Sequence, residues 1–338
     1  MTEHLSVSMT TETVGDVTQT TATNLTSLPS RGIEFYFQCA VVVIGVVGIA
    51  ANALILYALV ASKQHKKHVL IFHQNVTDFV SSLCLVITYA LKLCNFYLTG
   101  LSGYWFCMFV LSEYFIWCAI IASETNLMIV TVERYLKAVF PIWSKKHLRR
   151  RVIYLAMAFT WISSVVHMCA VTFTTSDVID GVCYGYVIWK SRVGQVAYGI
   201  WYFLSFYVII LILFIFCYLR ILVVIRRQAR VMASHSGPGP STAQTQSRNI
   251  LTNVIKTMII VSAFYAISDT PQDVYYLLLN VNANLTLLAY GYYASMFTSF
   301  LYFCANPFIY ATKFEPVKRV LLHQIPCVKT PVEPRWKF

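Results

Sequence analysis

The 338-residue chain is 58% hydrophobic and only 12% charged, where a soluble domain carries about a quarter charged residues; a water-solvated globule is excluded and a membrane protein is implied. Its net charge of +12 would suit nucleic acid in number but not in placement, since the basic residues fall in clusters between apolar runs. The ten cysteines form no small-domain disulfide pattern: Cys39, Cys84, Cys118, Cys169, Cys217 and Cys304 lie inside apolar runs, and only Cys94, Cys107, Cys183 and Cys327 fall near run ends or loops.

Residues 1–32 are rich in Ser and Thr and read as a disordered extracellular segment. No charged n-region followed by an apolar h-region is present, so the first apolar run is expected to act as the targeting signal. Asn24-Leu25-Thr26 is a glycosylation sequon.

Seven runs of membrane-spanning length follow, at about 33–61, 68–94, 105–138, 150–173, 193–226, 249–280 and 285–312, so that 33–312 forms one seven-span domain. The linkers are short except for the Gly/Pro/Ser stretch "ASHSGPGPSTAQTQSRN" between the fifth and sixth runs. Excess length in the third, fifth and sixth runs is taken up by tilt or projection from the bilayer.

Lys and Arg set the orientation. One side holds Lys63, Lys66, Lys67, Lys137, Lys145, Lys146, Arg149, Arg150, Arg151, Arg226, Arg227, Arg230 and Arg248, with Lys313, Lys318, Arg319, Lys329, Arg335 and Lys337 in the tail. The other holds Arg31, Lys92, Lys190 and Arg192. The N-terminus is therefore expected outside and the C-terminus in the cytoplasm, in a multi-pass plasma-membrane protein. A second sequon, Asn284-Leu285-Thr286, falls in the last outer loop; Asn75-Val76-Thr77 lies inside a span and is expected to be unused. In the final segment, 313–338, Val317, Val320 and Leu321 share one face beside Lys318 and Arg319, the pattern of a short amphipathic helix in the membrane interface. Cys327 is either a palmitoylation site or an unmodified thiol.

Polar residues inside the spans carry the most information. Asn52 stands in the first, Asp78 in the second, Trp161 in the fourth and Pro271 in the sixth. Glu133-Arg134-Tyr135 closes the third, and Asn306-Pro307-Phe308-Ile309-Tyr310 closes the seventh. In this order the chain resembles the rhodopsin-like (class A) G-protein-coupled receptors over roughly residues 33–325. "TPQDVYYLLLN" and "ANPFIYATKFEPVKR" look most like invertebrate orphan and peptide-type members. The implied fold is all-α, a seven-transmembrane helix bundle with a short interfacial helix after the seventh span.

The resemblance implies roles. Glu133 holds Arg134 at rest, and on activation Arg134 releases while Tyr218 and Tyr310 swing inward. Pro271 and Pro307 kink their helices. The competing reading of Arg134 is a snorkelling interface cation. Asp78, Ser123 and Asn306 match positions that line a sodium pocket, although Tyr302 replaces a usual Asn; alternatively Asp78 is protonated within a hydrogen-bond network. Cys107 and Cys183 are the implied disulfide, with Cys94 a rival, even though Cys107 lies 27 residues before Arg134, two more than usual. Ile210 stands where the fifth span usually has proline, and Leu251 where the sixth usually has an acid that holds Arg134.

Asp269 takes the place of a tryptophan at the floor of the ligand cavity, two residues before Pro271. Asp273 follows one turn later, and Glu124 and Glu113 sit eleven residues apart in the third span, on one face if the helix is continuous. The four acids are expected to line one shaft with no Lys or Arg at matching depth. Either they bind a cation, or the deep pair Asp269 and Glu124 is protonated and hydrogen-bonds mutually or to nearby Ser and Tyr. Ile116 stands where amine receptors carry aspartate and Phe300 where light sensors carry the retinal lysine, so both classes are discounted. Trp117, Ile120, Tyr275, Tyr276, Tyr292 and Phe297 complete the cavity candidates.

The expected activity is non-enzymatic: an extracellular ligand, a peptide or small molecule with cationic ligands included, binds between the spans. The cytosolic ends near Arg134, Lys137, Arg227 and Lys256 then engage a heterotrimeric G protein. Membrane lipids are the other partner, no nucleic acid is expected, and no cofactor beyond a sodium ion. The alternatives are a cation- or proton-coupled carrier using the acid shaft, and a receptor-fold protein with a degenerate switch.

Overall fold

The computed structural model describes residues 31–234, 242–282 and 289–323. Asn24, Asn284 and Cys327 lie outside the described residues, as do the side chains of Arg248 and Leu251.

Among the described residues, seven long helices follow one another, because apolar runs in lipid must satisfy every backbone group within the segment. The first is Arg31–Ala61 and the second Val69–Lys92. The third is assembled from Gly100–Phe106, a π-helical turn Cys107–Leu111 and Tyr114–Val139. The fourth is Arg150–Thr175. The fifth joins Arg192–Tyr202, a π-helical turn Phe203–Val208 and Ile209–Ser234. The sixth is Thr242–Val281 and the seventh Ala289–Lys313. The first five are long and apolar enough to cross a membrane. The sixth carries Asp269 and Asp273 within its length, and the seventh is rich in tyrosine.

The third helix is central: it packs on the second, fourth, fifth and sixth, while the first closes the ring against the second and seventh. Residues 116, 118–127, 130 and 131 of the third helix are buried in this way. The first and fifth helices instead turn Val43, Val46, Leu54, Ile212, Ile215 and Leu219 outward, the apolar face that lipid requires. The inner core contains Leu85, Ile116, Phe300, Phe303 and Tyr265.

Boundaries differ from the sequence expectation in informative places. The third span begins at Gly100, not 105, and the sixth extends to Thr242, within the expected linker. A short helix Pro141–His147, opened by proline at its first turn, occupies the loop after Tyr135. The fifth span lacks proline, as read, and Phe203–Val208 supplies a π-bulge one turn before Ile210. The helix after the seventh span is Glu315–His323. Its Val317 is buried in the bundle core, with Val320 and Leu321 packed against that core, so this apolar face meets protein as well as the membrane interface.

A two-stranded antiparallel hairpin, β1 (Asp177–Ile179) and β2 (Val182–Tyr184), covers the outer end, pairing Val178 with Cys183. Asp180 (φ 50°) and Gly181 (φ 75°) make its tight turn. A Cβ on Gly181 would meet the Tyr97 ring at 2.3 Å. Cys183 is disulfide-bonded to Cys107, and Cys94 is free and exposed.

Candidate functional site

At the end of the bundle away from the hairpin, Arg134 is buried, with its Nε 3.2 Å from Glu133 Oε2. Lys137, one turn on, binds the other Glu133 oxygen at 2.5 Å. The remaining hold on Arg134 comes from His68, just before the second helix, whose Nδ1 accepts from Nη2 at 3.1 Å. Burial, reinforced by the charges of Arg134 and Lys137, pushes His68 down from its usual 6.5 to about 3. His68 is thus a neutral acceptor. It serves where no sixth-span acid is available, a role that sequence reading missed.

Above this, Tyr218 crosses to the third and sixth helices. Its hydroxyl lies 3.0 Å from Thr131 Oγ1 and 2.8 Å from Ser262 Oγ. The Tyr310 hydroxyl is buried with no hydrogen-bond partner among the described residues. Pro271 and Pro307 sit inside the sixth and seventh helices.

Asp78 is the hub of the middle layer. Its Oδ1 accepts from Ser123 Oγ at 2.7 Å and Gln74 Nε2 at 3.1 Å, and its Oδ2 accepts from Asn306 Nδ2 at 3.0 Å. Gln74 also binds Ser123, and its Oε1 accepts from Asn126 at 2.7 Å. The chain continues through Asn126 Oδ1 to His73 Nδ1 at 2.9 Å, then from Trp161 Nε1 to His73 Nε2 at 3.0 Å. Asn52 Nδ2 donates to the Phe303 carbonyl at 3.1 Å, tying the first helix to the seventh. Gln74 and Asn126 had no role in the sequence reading; their spacing of one helical turn from Asp78 and from Ser123 is the signal that would have found Gln74.

The acid shaft is not continuous. Glu113 is not helical: its φ of 65° breaks the third span, and the helix restarts at Tyr114. It therefore does not share a helical face with Glu124. Its carboxylate binds Lys92 and accepts from Tyr89 OH at 2.8 Å, so a lysine does neutralise it, contrary to the sequence expectation. The π-turn at Cys107–Leu111 together with this break accommodates the long Cys107–Arg134 spacing.

The other three acids are together. Glu124, Asp269 and Asp273 are buried and feel one another's charge. Asp269 accepts from Ser299 Oγ rather than from Glu124, and its Oδ2 has no partner. Asp273 reaches a cavity between the third, fourth, fifth and sixth helices and the loop that carries the hairpin. Of the cavity candidates, Trp117, Asp273 and Tyr276 line it. Ile116, Ile120 and Phe300 are in the packed core, Phe297 packs against it, and Tyr275 and Tyr292 pair with each other at 5.8 Å. The remaining lining includes Tyr186, Tyr198, Tyr202 and Gln272. The aromatic-rich stretch Tyr198–Tyr207 was the available signal, but the π-turn shifts its helical register.

The family described as 7 transmembrane receptor (rhodopsin family) matches residues 51–310. No curated protein matches the chain.

Proposed function

The chain belongs to the rhodopsin family of seven-transmembrane receptors, and from that premise we propose that it binds an extracellular peptide and activates a heterotrimeric G protein. In this reading it is a peptide-type member with its N-terminus outside and its C-terminus in the cytoplasm. The observation that carries the proposal is the state of Arg134. It is a buried cation held by Glu133 and one neutral histidine, at the end of the bundle opposite an open cavity.

Activation follows as a population shift between two arrangements. A ligand in the outer cavity bears on the sixth helix through Asp273, Tyr276 and Gln272. Pro271 leaves that helix short of a backbone donor and therefore able to swing. The swing draws Ser262 away from Tyr218 and opens the cytoplasmic end. Arg134 then leaves His68 and, with Lys137, Arg227 and Lys256, faces the G protein. Tyr310, with its hydroxyl unpaired, is free to take a new partner.

A sodium ion fits at Asp78. The residues that would hold it are Asp78, Ser123, whose Oγ is 2.7 Å from the carboxylate, and Asn306, whose Nδ2 faces Asp78 and whose Oδ1 is unpartnered among the described residues; these carry the oxygen ligands that hard cations take. The Gln74 amide competes for the same carboxylate. A second reading, a receptor fold whose switch is degenerate, is favoured by Asp269, a buried acid two residues before Pro271 where the resemblance implies an aromatic residue. Nucleotide exchange on G proteins, stimulated by peptide fractions applied to cells with verified surface expression, tests the proposal. Exchange no higher than in untransfected membranes with every fraction would refute it.

A further inference from the structure

The outer cavity has an uncommon electrical character. Among its lining residues Asp273 is the one charged side chain, 8% exposed, and it has no hydrogen bond or ion pair among the described residues. Three of the other polar groups around it are already committed. Tyr198 OH lies 3.1 Å from His167 Nε2, Tyr186 OH lies 3.2 Å from Thr172 Oγ1, and Gln272 Oε1 accepts from Ser295 Oγ at 3.0 Å. Of the cations on this side, Lys92 binds Glu113, Arg192 donates to the Val281 carbonyl, and Lys190 is exposed.

The wall is aromatic. Tyr202 and Tyr276 meet edge to face at 5.2 Å, and Tyr198 and Tyr276 at 6.4 Å. Ring faces attract cations and offer nothing to an anion. Asp269, one helical turn before Asp273, is 3% exposed with Oδ2 unpartnered among the described residues, a second buried carboxyl group beside the cavity. A buried carboxylate without a counter-ion is a costly arrangement that an incoming cation relieves.

Resting on the receptor reading above, we propose that this cavity seats one cationic group, an alkylammonium or guanidinium on an apolar stem, with Asp273 as counter-ion and Tyr198, Tyr202, Tyr276 and Trp117 as its wall. A lining with a single carboxyl group suits one cationic group rather than a whole peptide. The cation therefore belongs either to a basic residue at a peptide's end or to a small amine.

The test uses the full chain in lipid nanodiscs and follows its melting temperature. The probes are 4-phenylbutylamine and its guanidine analogue against 4-phenylbutanol, and an amidated phenylalanyl-arginine dipeptide against its citrulline counterpart. The cations raise the melting temperature and the neutral isosteres do not. Tighter binding of the dipeptide assigns the cation to a peptide, and tighter binding of the amine assigns it to a small ligand; both support the seat. Asp273→Asn weakens the cations about tenfold to a hundredfold. Tyr202→Leu, which keeps the acid, weakens them roughly threefold to thirtyfold and covers the case in which the Asn variant fails to fold. Equal shifts from neutral isosteres, no shift from any cation, or cation affinity unchanged in Asp273→Asn would overturn the proposal. Nucleotide exchange on a G protein separates the two readings. A cation-selective shift without exchange defeats G-protein activation but not the seat, and exchange without cation preference defeats the seat alone.

Discussion

Replacing His68 with alanine should raise signalling in the absence of ligand. His68 Nδ1 takes a hydrogen bond from a guanidinium at 3.1 Å, and the Arg134 side chain is 3% exposed. Hydrogen bonds to charged groups are worth about 1.5–3 kcal/mol. His68 itself is half-buried and water can replace it in part, so the lower figure applies. A loss of about 1.5 kcal/mol multiplies the ratio of released to held Arg134 roughly tenfold. Basal nucleotide exchange on a G protein, normalised to surface receptor, should rise by up to about that factor. His68→Gln keeps an acceptor and should recover part of the restraint. The contact also has a defined pH course. The value of about 3 lies below the ordinary 6.5, so the neutral contact is fully present above pH 6.5 and its contribution falls as pH drops from there toward 3. Basal activity unchanged in His68→Ala, or raised equally by Ala and Gln, would refute the assignment.

Other consequences follow from the same geometry. Lys92→Met leaves Glu113 buried without its cation and should cost about 1–3 kcal/mol, less than a fully buried pair because Lys92 is partly exposed; adding Glu113→Gln should restore most of the lost melting temperature. Gln74→Leu removes a group that bridges Asp78, Ser123 and Asn126 and should cost about 1–3 kcal/mol in thermal stability. Asp269→Asn keeps an acceptor for Ser299 and should change melting by less than about 1 kcal/mol, whereas Asp269→Leu strands the Ser299 hydroxyl and should cost more. Cys183→Ser opens the tie to Cys107 and should lower stability by about 2–4 kcal/mol, read as lost surface expression.

The bundle was legible because each span is a predominantly apolar run and the clustered Lys and Arg mark its ends. The Cys107–Cys183 pairing, implied by the resemblance, is also present. The cavity was less legible for a local reason: Glu113 and Glu124 share a face only on an unbroken helix, and the break at Ser112–Glu113 carries no glycine or proline to announce it. The two extra residues between Cys107 and Arg134 were the one hint. Likewise, Tyr198 and Tyr202 reach the cavity from a helix interrupted by a π-turn in place of the absent proline. His68 could not be chosen from sequence, since its contact with Arg134 joins residues 66 apart. Asp269 was found readily, as an acid in an apolar span, but its partner Ser299 lies on another helix.

The central claim is that Arg134 is the element released toward a G protein. The most direct measurement is GDP release from purified heterotrimeric G proteins of each class, catalysed by the receptor in nanodiscs with and without Arg134→Ala. The wild type should accelerate release from at least one class, and Arg134→Ala should abolish the acceleration while still melting cooperatively. Acceleration that survives Arg134→Ala, or none with any class in either protein, would contradict the account.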